Sequence, residues 1–313
     1  MSIRTSIRFV LVGFLLAAPV AVSAAELRAP VADRHGLVLA GKFVGFALAA
    51  EGGHARGVVV EVASTKGVPN KHLSGFEYTP LVVRMGAALD PVLLAWISDS
   101  LAGRSTPQTL QLVKYDFENK PIATRELRDA LLTGVTLPLL EAGSKEVAAL
   151  ELEVTPGSIV QSPGGVPATL QARTKAGLAS AFRVKLGDLP TQRVPKVGAV
   201  RWSRPRPSDD LRDSRLRVGM LAPAQVGDLE LHVSRADAPA WEDFYHDFVV
   251  LGRNGSDQEL DGSIELLSAD QKSTILTVKL SHAGPFALEQ GGDPTFVVRL
   301  YLEGIGLEPG PAK

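Results

Sequence analysis

Short apolar runs, rich in Val, Leu and Ile and broken by Gly, Pro, Asn and Asp, recur along the chain from about residue 36 onward. Runs of roughly five to eight residues bounded by turn formers specify strands, because a helix needs ten or more residues with a 3.6-residue period. The series in the first half is Phe43–Ala50, Gly57–Ala63, Leu81–Met85, Leu110–Tyr115, Ile122–Leu127, Leu131–Leu137 and Val147–Val154. The first two runs are joined by Glu51-Gly52-Gly53 and read as a hairpin or as neighbouring strands. The polar stretch Ser64–Tyr78 reads as a long loop. One helix interrupts the series: Asp90 fits its N-cap, Pro91 its first position and Gly103 its end, with Leu93, Trp96, Ile97 and Leu101 on one face. This order predicts a mainly β fold, a β-barrel or sandwich with one packed α-helix. The 30 Gly and 21 Pro of the 313 residues supply the turns such a fold needs.

The second half repeats this order. Phe182–Leu189 and Val197–Ser203 stand where the opening strands stand, and Leu229–Val233 alternates as Leu81–Met85 does. The stretch Ala238–Phe248 resembles the helix, placing Pro239 on Pro91, Phe244 on Trp96 and Asp247 on Asp99 at one constant offset. Ser263–Asp270 then matches Thr109–Asp116, and Ile275–Leu280 and Phe296–Leu302 close the series. Two tandem domains follow, 36–158 and 178–308, with a Pro/Gly-rich linker at 159–177. Two unrelated β-domains whose strands align by chance is the other reading of the same pattern.

Residues 1–25 read as a Sec-type secretory signal: Arg4 and Arg8 form the basic end, Phe9–Val22 the apolar segment, and Val22-Ser23-Ala24-Ala25 the cleavage region. The apolar segment falls short of the ~20 residues a membrane-spanning helix requires, although an uncleaved anchor is the alternative. The mature protein is therefore expected to be periplasmic or extracellular, with no membrane span. With 33 Lys+Arg against 34 Asp+Glu the chain lacks the basic surface that nucleic-acid binding needs. It has no cysteine, which removes disulfides, thiolate nucleophiles and Cys-based metal sites. No G-x-S-x-G elbow, H-E-x-x-H pair or G-x-x-x-x-G-K-[ST] loop occurs, and the six histidines are dispersed, none with a partner at a metal-ligand spacing. His246 beside Asp243 and Asp247 comes nearest to a cluster and reads as a solvated helix face. The sequence thus points to no enzyme, no cofactor and no metal.

Residues 41–155 resemble the phage tail-tube family, which includes the tubes of contractile injection systems and of type VI secretion. The resemblance rests on Phe46–Val58, Lys71-His72-Leu-Ser-Gly-Phe-Glu77-Tyr78, Leu94-Ala-Trp96-Ile97 and Asp129–Pro138 with Glu141–Lys145 after it. It implies a small β-barrel with a flanking helix, self-assembly into stacked six-domain rings, and a long hairpin loop that touches the next ring. By position that loop is Ser64–Tyr78, so Lys66, Asn70, Lys71 and His72 are the expected inter-ring or partner contacts. Two features depart from the family. Tube proteins lack a Sec-type signal, and duplication looks instead like the trimeric tail hubs, whose three two-domain chains make a pseudo-sixfold ring. The expected function is an exported structural protein that forms a homo-oligomeric ring or tube, possessing no enzymatic site and engaging itself or another exported protein. A monomeric binding or adaptor module built as a closed pseudo-dimer is the alternative.

Overall fold

The structure, a computed structural model, describes residues 34–63, 67–169, 177–204, 222–292 and 294–311. The signal segment 1–25, Lys66 and most of the Arg-rich stretch 201–217 lie outside them. In chain order the first strands are β1 (Arg34–Leu39), β2 (Lys42–Phe46), β3 (Ala49–Gly52), β4 (Ala55–Val62), β5 (Asn70–Tyr78) and β6 (Leu81–Gly86). Helix α1 (Pro91–Leu101) follows, then β7 (Gln108–Tyr115), β8 (Pro121–Thr136), β9 (Leu140–Glu141), β10 (Ala149–Thr155) and β11 (Ser158–Pro163). The later strands begin with β12 (Phe182–Leu186), β13 (Lys196–Val197), β14 (Arg201–Ser203), β15 (Gln225–Val226) and β16 (Leu229–Ser234). Helix α2 (Ala238–Tyr245) continues as a π-helical turn, His246–Val250, and β17 (Leu260–Leu267), β18 (Thr274–Gln290) and β19 (Thr295–Pro309) end the fold. The protein is mainly β and sandwich-like, with two α-helices among the described residues.

The local signals for α1 act as expected. The Asp90 side chain accepts from the Val92 amide at 2.8 Å, Pro91 occupies the first turn, and Leu93, Leu94, Trp96 and Ile97 are buried. Asp90 is itself buried and accepts from Lys42 Nζ at 3.2 Å, so the cap also ties the helix to β2. The Trp96 indole donates to the Thr106 carbonyl at 3.3 Å, satisfying its polar edge inside the core.

Strand β8 organises the first sheet. Its first part pairs with β7 and β11, and its last part, Leu131–Thr136, pairs with β10, with β14 along Gly134–Thr136. The change falls at Asp129, whose φ of 49° turns the strand from one layer into the other. What the sequence reads as two strands, Ile122–Leu127 and Leu131–Leu137, is therefore one strand with a bend. The run Phe43–Ala50 divides in the opposite way. Ala47 N donates to His35 O at 2.8 Å and Leu48 N to Arg84 O at 2.8 Å, so one stretch borders β1 and the next borders β6. The sheet path β2-β1-β7-β8-β10-β6-β3 thereby folds into two facing layers. The Pro/Gly-rich segment after Val154 also differs from expectation, because Ser158–Pro163 is strand β11, hydrogen-bonded to β8.

The second sheet runs β12-β17-β18-β19-β16-β13-β9. Its order matches that of the first sheet strand for strand, β1-β7-β8-β10-β6-β3 against β12-β17-β18-β19-β16-β13. Each series has its helix in the same place, between β6 and β7 or between β16 and β17. The two halves also share one hydrophobic core, in which Leu37, Leu93, Ile97 and Leu132 join Val184, Trp241, Leu280 and Leu300. Chain contacts run between them: β9 from the first half pairs with β13, β14 from the second pairs with β8, and Ser98 Oγ donates to Leu307 O at 2.9 Å. Asp33–Lys313 accordingly forms one compact unit. No helix among the described residues is long and apolar enough to cross a membrane.

On the second sheet Tyr301 lies across Gly284, where a Cβ would meet the ring at 2.3 Å, and its hydroxyl donates to Glu259 Oε1 at 2.7 Å. Burial first, then the hydrogen bond and charge of Glu259 and the charge of Glu303, push the Tyr301 hydroxyl up to about 12. A proton held more tightly in the folded than in the unfolded chain contributes stability that is intact below pH ~10, the unfolded value, and lost as pH rises through the folded value. The urea midpoint of the wild type is thus expected to fall more steeply from pH 9 to pH 11.5 than that of Tyr301→Phe; equal slopes would contradict this. Replacing Asp90 by Ala removes the cap and strips Lys42 of this partner, and is expected to cost about 1–2 kcal/mol in equilibrium unfolding.

Candidate assembly interface

Strands β4 and β5 form a two-stranded sheet of their own, apart from the two large sheets. Backbone geometry at its base requires glycine. Gly52 has φ 76°, and a Cβ there would stand 2.1 Å from the Pro80 carbonyl oxygen. The Gly53 amide donates to that same carbonyl at 3.0 Å, the Thr79 amide donates to His54 O at 2.9 Å, and Arg125 Nη1 donates to Gly52 O at 2.7 Å. This clamp holds the hairpin against the rigid sheet, and beyond it the ribbon projects. The segment read from sequence as the loop Ser64–Tyr78 is therefore largely strand, and β4 pairs with β5, not with Phe43–Ala50.

The register decides what each face carries. Ala55 opposes Tyr78, Gly57 opposes Phe76, Val59 opposes Leu73, and Glu61 opposes Lys71. Residues directly opposite in an antiparallel pair share a face. A bulge at Ser74, between the Val58 and Val59 positions, returns Leu73 to the face of Phe76. Without it the alternation would turn Leu73 to the other side. Leu73 then covers Gly57, where a Cβ would come within 2.9 Å of its methyl group. One face consequently presents Val59, Leu73 and Phe76, which are 58%, 73% and 64% exposed. Phe76 meets Tyr78 edge-on at 5.4 Å between ring centroids, fixing its orientation. The opposite face carries Val58, Val60 and Val62 beside His72 and Asn70.

Charges line the ribbon without covering its apolar residues. Lys71 Nζ stands 3.1 Å from Glu61, and Arg56 pairs with Glu77 near the base. Both pairs are exposed, and such pairs contribute at most about 1 kcal/mol each. Of the four expected contact residues, Asn70, Lys71 and His72 fall together at the start of β5 but divide between its two faces, and Lys66 lies outside the described residues. The residues that sequence reading missed are Val59, Leu73 and Phe76. Their signal was present in the apolar positions of Leu73 and Phe76, but only the bulge brings them onto one side.

An isolated two-stranded ribbon is marginal in water, and an exposed apolar strip of this kind is a candidate contact surface. The outer edges of β4 and β5 also have no strand neighbour among the described residues, leaving backbone donors and acceptors open to strand addition. Chemically the hairpin is a projecting arm clamped at its base, with exposed apolar side chains, Val59, Leu73 and Phe76 on one face and Val62 on the other, that could serve protein–protein contact. Replacing both Leu73 and Phe76 by Ser is expected to shift the urea midpoint of the monomer by no more than about 0.5 kcal/mol equivalent, since neither side chain packs in the core. A loss of several kcal/mol would instead make the hairpin part of the folding core.

Comparison with known proteins places this geometry in context. Residues 58–156 match the family described as T4-like virus tail tube protein gp19. Among curated proteins none matches the chain. Among solved structures, the sheath/tube terminator of the extracellular contractile injection system PVC, in the extended state, aligns at 17% identity and TM-score 0.35, covering 44% of this chain and 99% of that one. The sheath-tube complex of the same system aligns at 16% identity and TM-score 0.36, covering 47% of this chain and 99% of that one. The tube-terminating cap of the anti-feeding prophage aligns at 15% identity and TM-score 0.35, covering 46% and 99%. It is the sequence-family match that carries the similarity. Residues 58–156, which begin within the projecting hairpin, are similar to the tail tube protein family of T4 gp19.

Proposed function

We propose that this protein is an exported structural subunit that assembles with copies of itself into a ring or tube, the β4–β5 hairpin of one copy seating on its neighbour. The observation that carries the reading is the exposed apolar strip Val59, Leu73 and Phe76 on a clamped hairpin that opens a tail-tube segment. Burying such side chains contributes about 1.5–3 kcal/mol each before the entropy of association is subtracted. A closed ring repeats that contribution at every interface. Asn70, Lys71 and His72 then lie at the rim of the contact, where charge selects partners more than it adds affinity. The strand-for-strand correspondence of the two sheets supports a duplicated tube-like domain, with halves near 36–158 and 178–308. Two such units per chain would let fewer chains close a ring. The basic, apolar and small-residue order of residues 1–25 supports secretion, which would set assembly outside the cytoplasm.

A second reading has its own observation. The second half already lies against the first, and a cleft of about 500 Å³ is lined by Arg84, Glu141, Glu146 and Glu151. A closed pseudo-dimer acting as a binding or adaptor module would use such a cleft.

Mass photometry and negative-stain electron microscopy of the mature protein separate the two. Assembly predicts discrete multimers for the wild type and monomers for the Leu73→Asp, Phe76→Asp double variant, with the unfolding midpoint of the monomer unchanged. A wild type that stays monomeric at about 100 μM, far above the concentration at which several kcal/mol of contact would hold a complex together, overturns assembly in favour of the closed module.

A further inference from the structure

The sequence separates Glu259, His282 and Glu303 widely, yet the sheet sets them side by side. Glu259 immediately precedes β17, His282 lies in β18 and Glu303 in β19, three consecutive neighbours of the second sheet. One potential ligand atom from each lies within 4.8 Å of the other two. We propose that these residues form a site for a divalent transition-metal cation of the Zn²⁺ type, remote in function from the hairpin.

The argument rests on how the site is held. The pairing of β17 with β18 slips between Leu260 and Gly262, and at that irregularity His282 takes φ 52°, a backbone conformation that costs a non-glycine residue energy. Its amide donates to Asp261 Oδ1 at 3.1 Å, holding the backbone in that form. The consequence is that the imidazole is aimed at Glu259: Nδ1 lies 3.0 Å from Oε2. The Glu259 side chain is only 8% exposed, and its other oxygen is occupied by the Tyr301 hydroxyl at 2.7 Å. By donating that hydrogen bond the hydroxyl orients the carboxylate, as an outer-shell donor does in metal sites. Oε2 and Nδ1 remain as an inner pair, and Glu303 completes a face of one nitrogen and two oxygens.

Ligand atoms around a tetrahedral zinc, with bonds of ~2.0–2.1 Å, stand about 3.3 Å apart. The His282–Glu259 separation is within a few tenths of an ångström of that. One imidazole and two carboxylates suit Zn²⁺, while Ca²⁺ and Mg²⁺ prefer all-oxygen shells of higher number. Binding puts the cation where the Nδ1–Oε2 hydrogen bond now lies, the imidazole coordinating through Nδ1 with its proton on Nε2, and a water as the fourth ligand. The cation would join three strands, β17, β18 and β19, at the point where the regular pairing of β17 with β18 is broken.

The test uses the tag-free protein, stripped with a chelator and titrated with Zn²⁺ in a calorimeter, with Ca²⁺ as comparator. One Zn²⁺ per chain is expected, together with a rise in Tm on saturation. His282→Asn keeps a side chain that tolerates the left-handed conformation, and Glu303→Gln changes an exposed group. Each is expected to weaken Zn²⁺ binding by more than about tenfold while leaving the metal-free Tm unchanged. The proposal is overturned if the wild type does not bind Zn²⁺ below about millimolar concentration, or binds Ca²⁺ more tightly. It is equally overturned if both variants bind Zn²⁺ as the wild type does, which would place the ion on other histidines.

Discussion

The fold depends on strand β8 being too long for one layer. Its first residues hydrogen-bond to β7 and β11, its last to β10 and β14, and the bend at Asp129 lets a continuous chain serve both. Every backbone polar group removed from water needs a partner, so a strand crossing between layers must find new neighbours on the far side of the bend. The arrival of β14 there binds the second half of the chain to the first. The common core follows, because two layers joined through one strand cannot separate without exposing Leu132, Val135 and Trp202.

Against that stiff frame the β4–β5 hairpin is unusual in having no layer beneath it. Its clamp at Gly52, Gly53 and Arg125 is attached to the sandwich, while its outer residues face water on both sides. Stability and exposure are thereby divided: the sandwich carries the buried apolar area, and the arm carries exposed apolar area. A protein that must associate gains from this division, since variation in the arm need not disturb folding.

The second sheet solves the corresponding problem differently. At the place where β17 and β18 lose register, polar side chains converge instead of an arm projecting. Tyr301 crosses Gly284 because that position has no side chain, and its hydroxyl gives the nearly buried Glu259 a partner. A carboxylate that buried is costly unless it is hydrogen-bonded or ligating, and here both of its oxygens have been given work.

Read alone, the sequence determined the elements whose causes are local. Asp90-Pro91 with a 3.6-period apolar stripe makes α1 whatever surrounds it, and the short apolar runs with Gly and Pro between them make a mainly β chain. In the second half, β16, α2 and β17 carry apolar spacing similar to that of β6, α1 and β7, a resemblance that is likewise local. What the sequence could not determine was pairing. Pro and Gly around Ser158–Pro163 look like a linker, and only the free edge of β8 makes that segment a strand. The division of Phe43–Ala50 between β1 and β6, the union of two apolar runs in β8, and the meeting of Val59, Leu73 and Phe76 on one face of the hairpin all rest on register. Glu259, His282 and Glu303 come together by the same means. Register is decided by which backbone partners remain after the core has packed, a property of the whole chain that no local window contains.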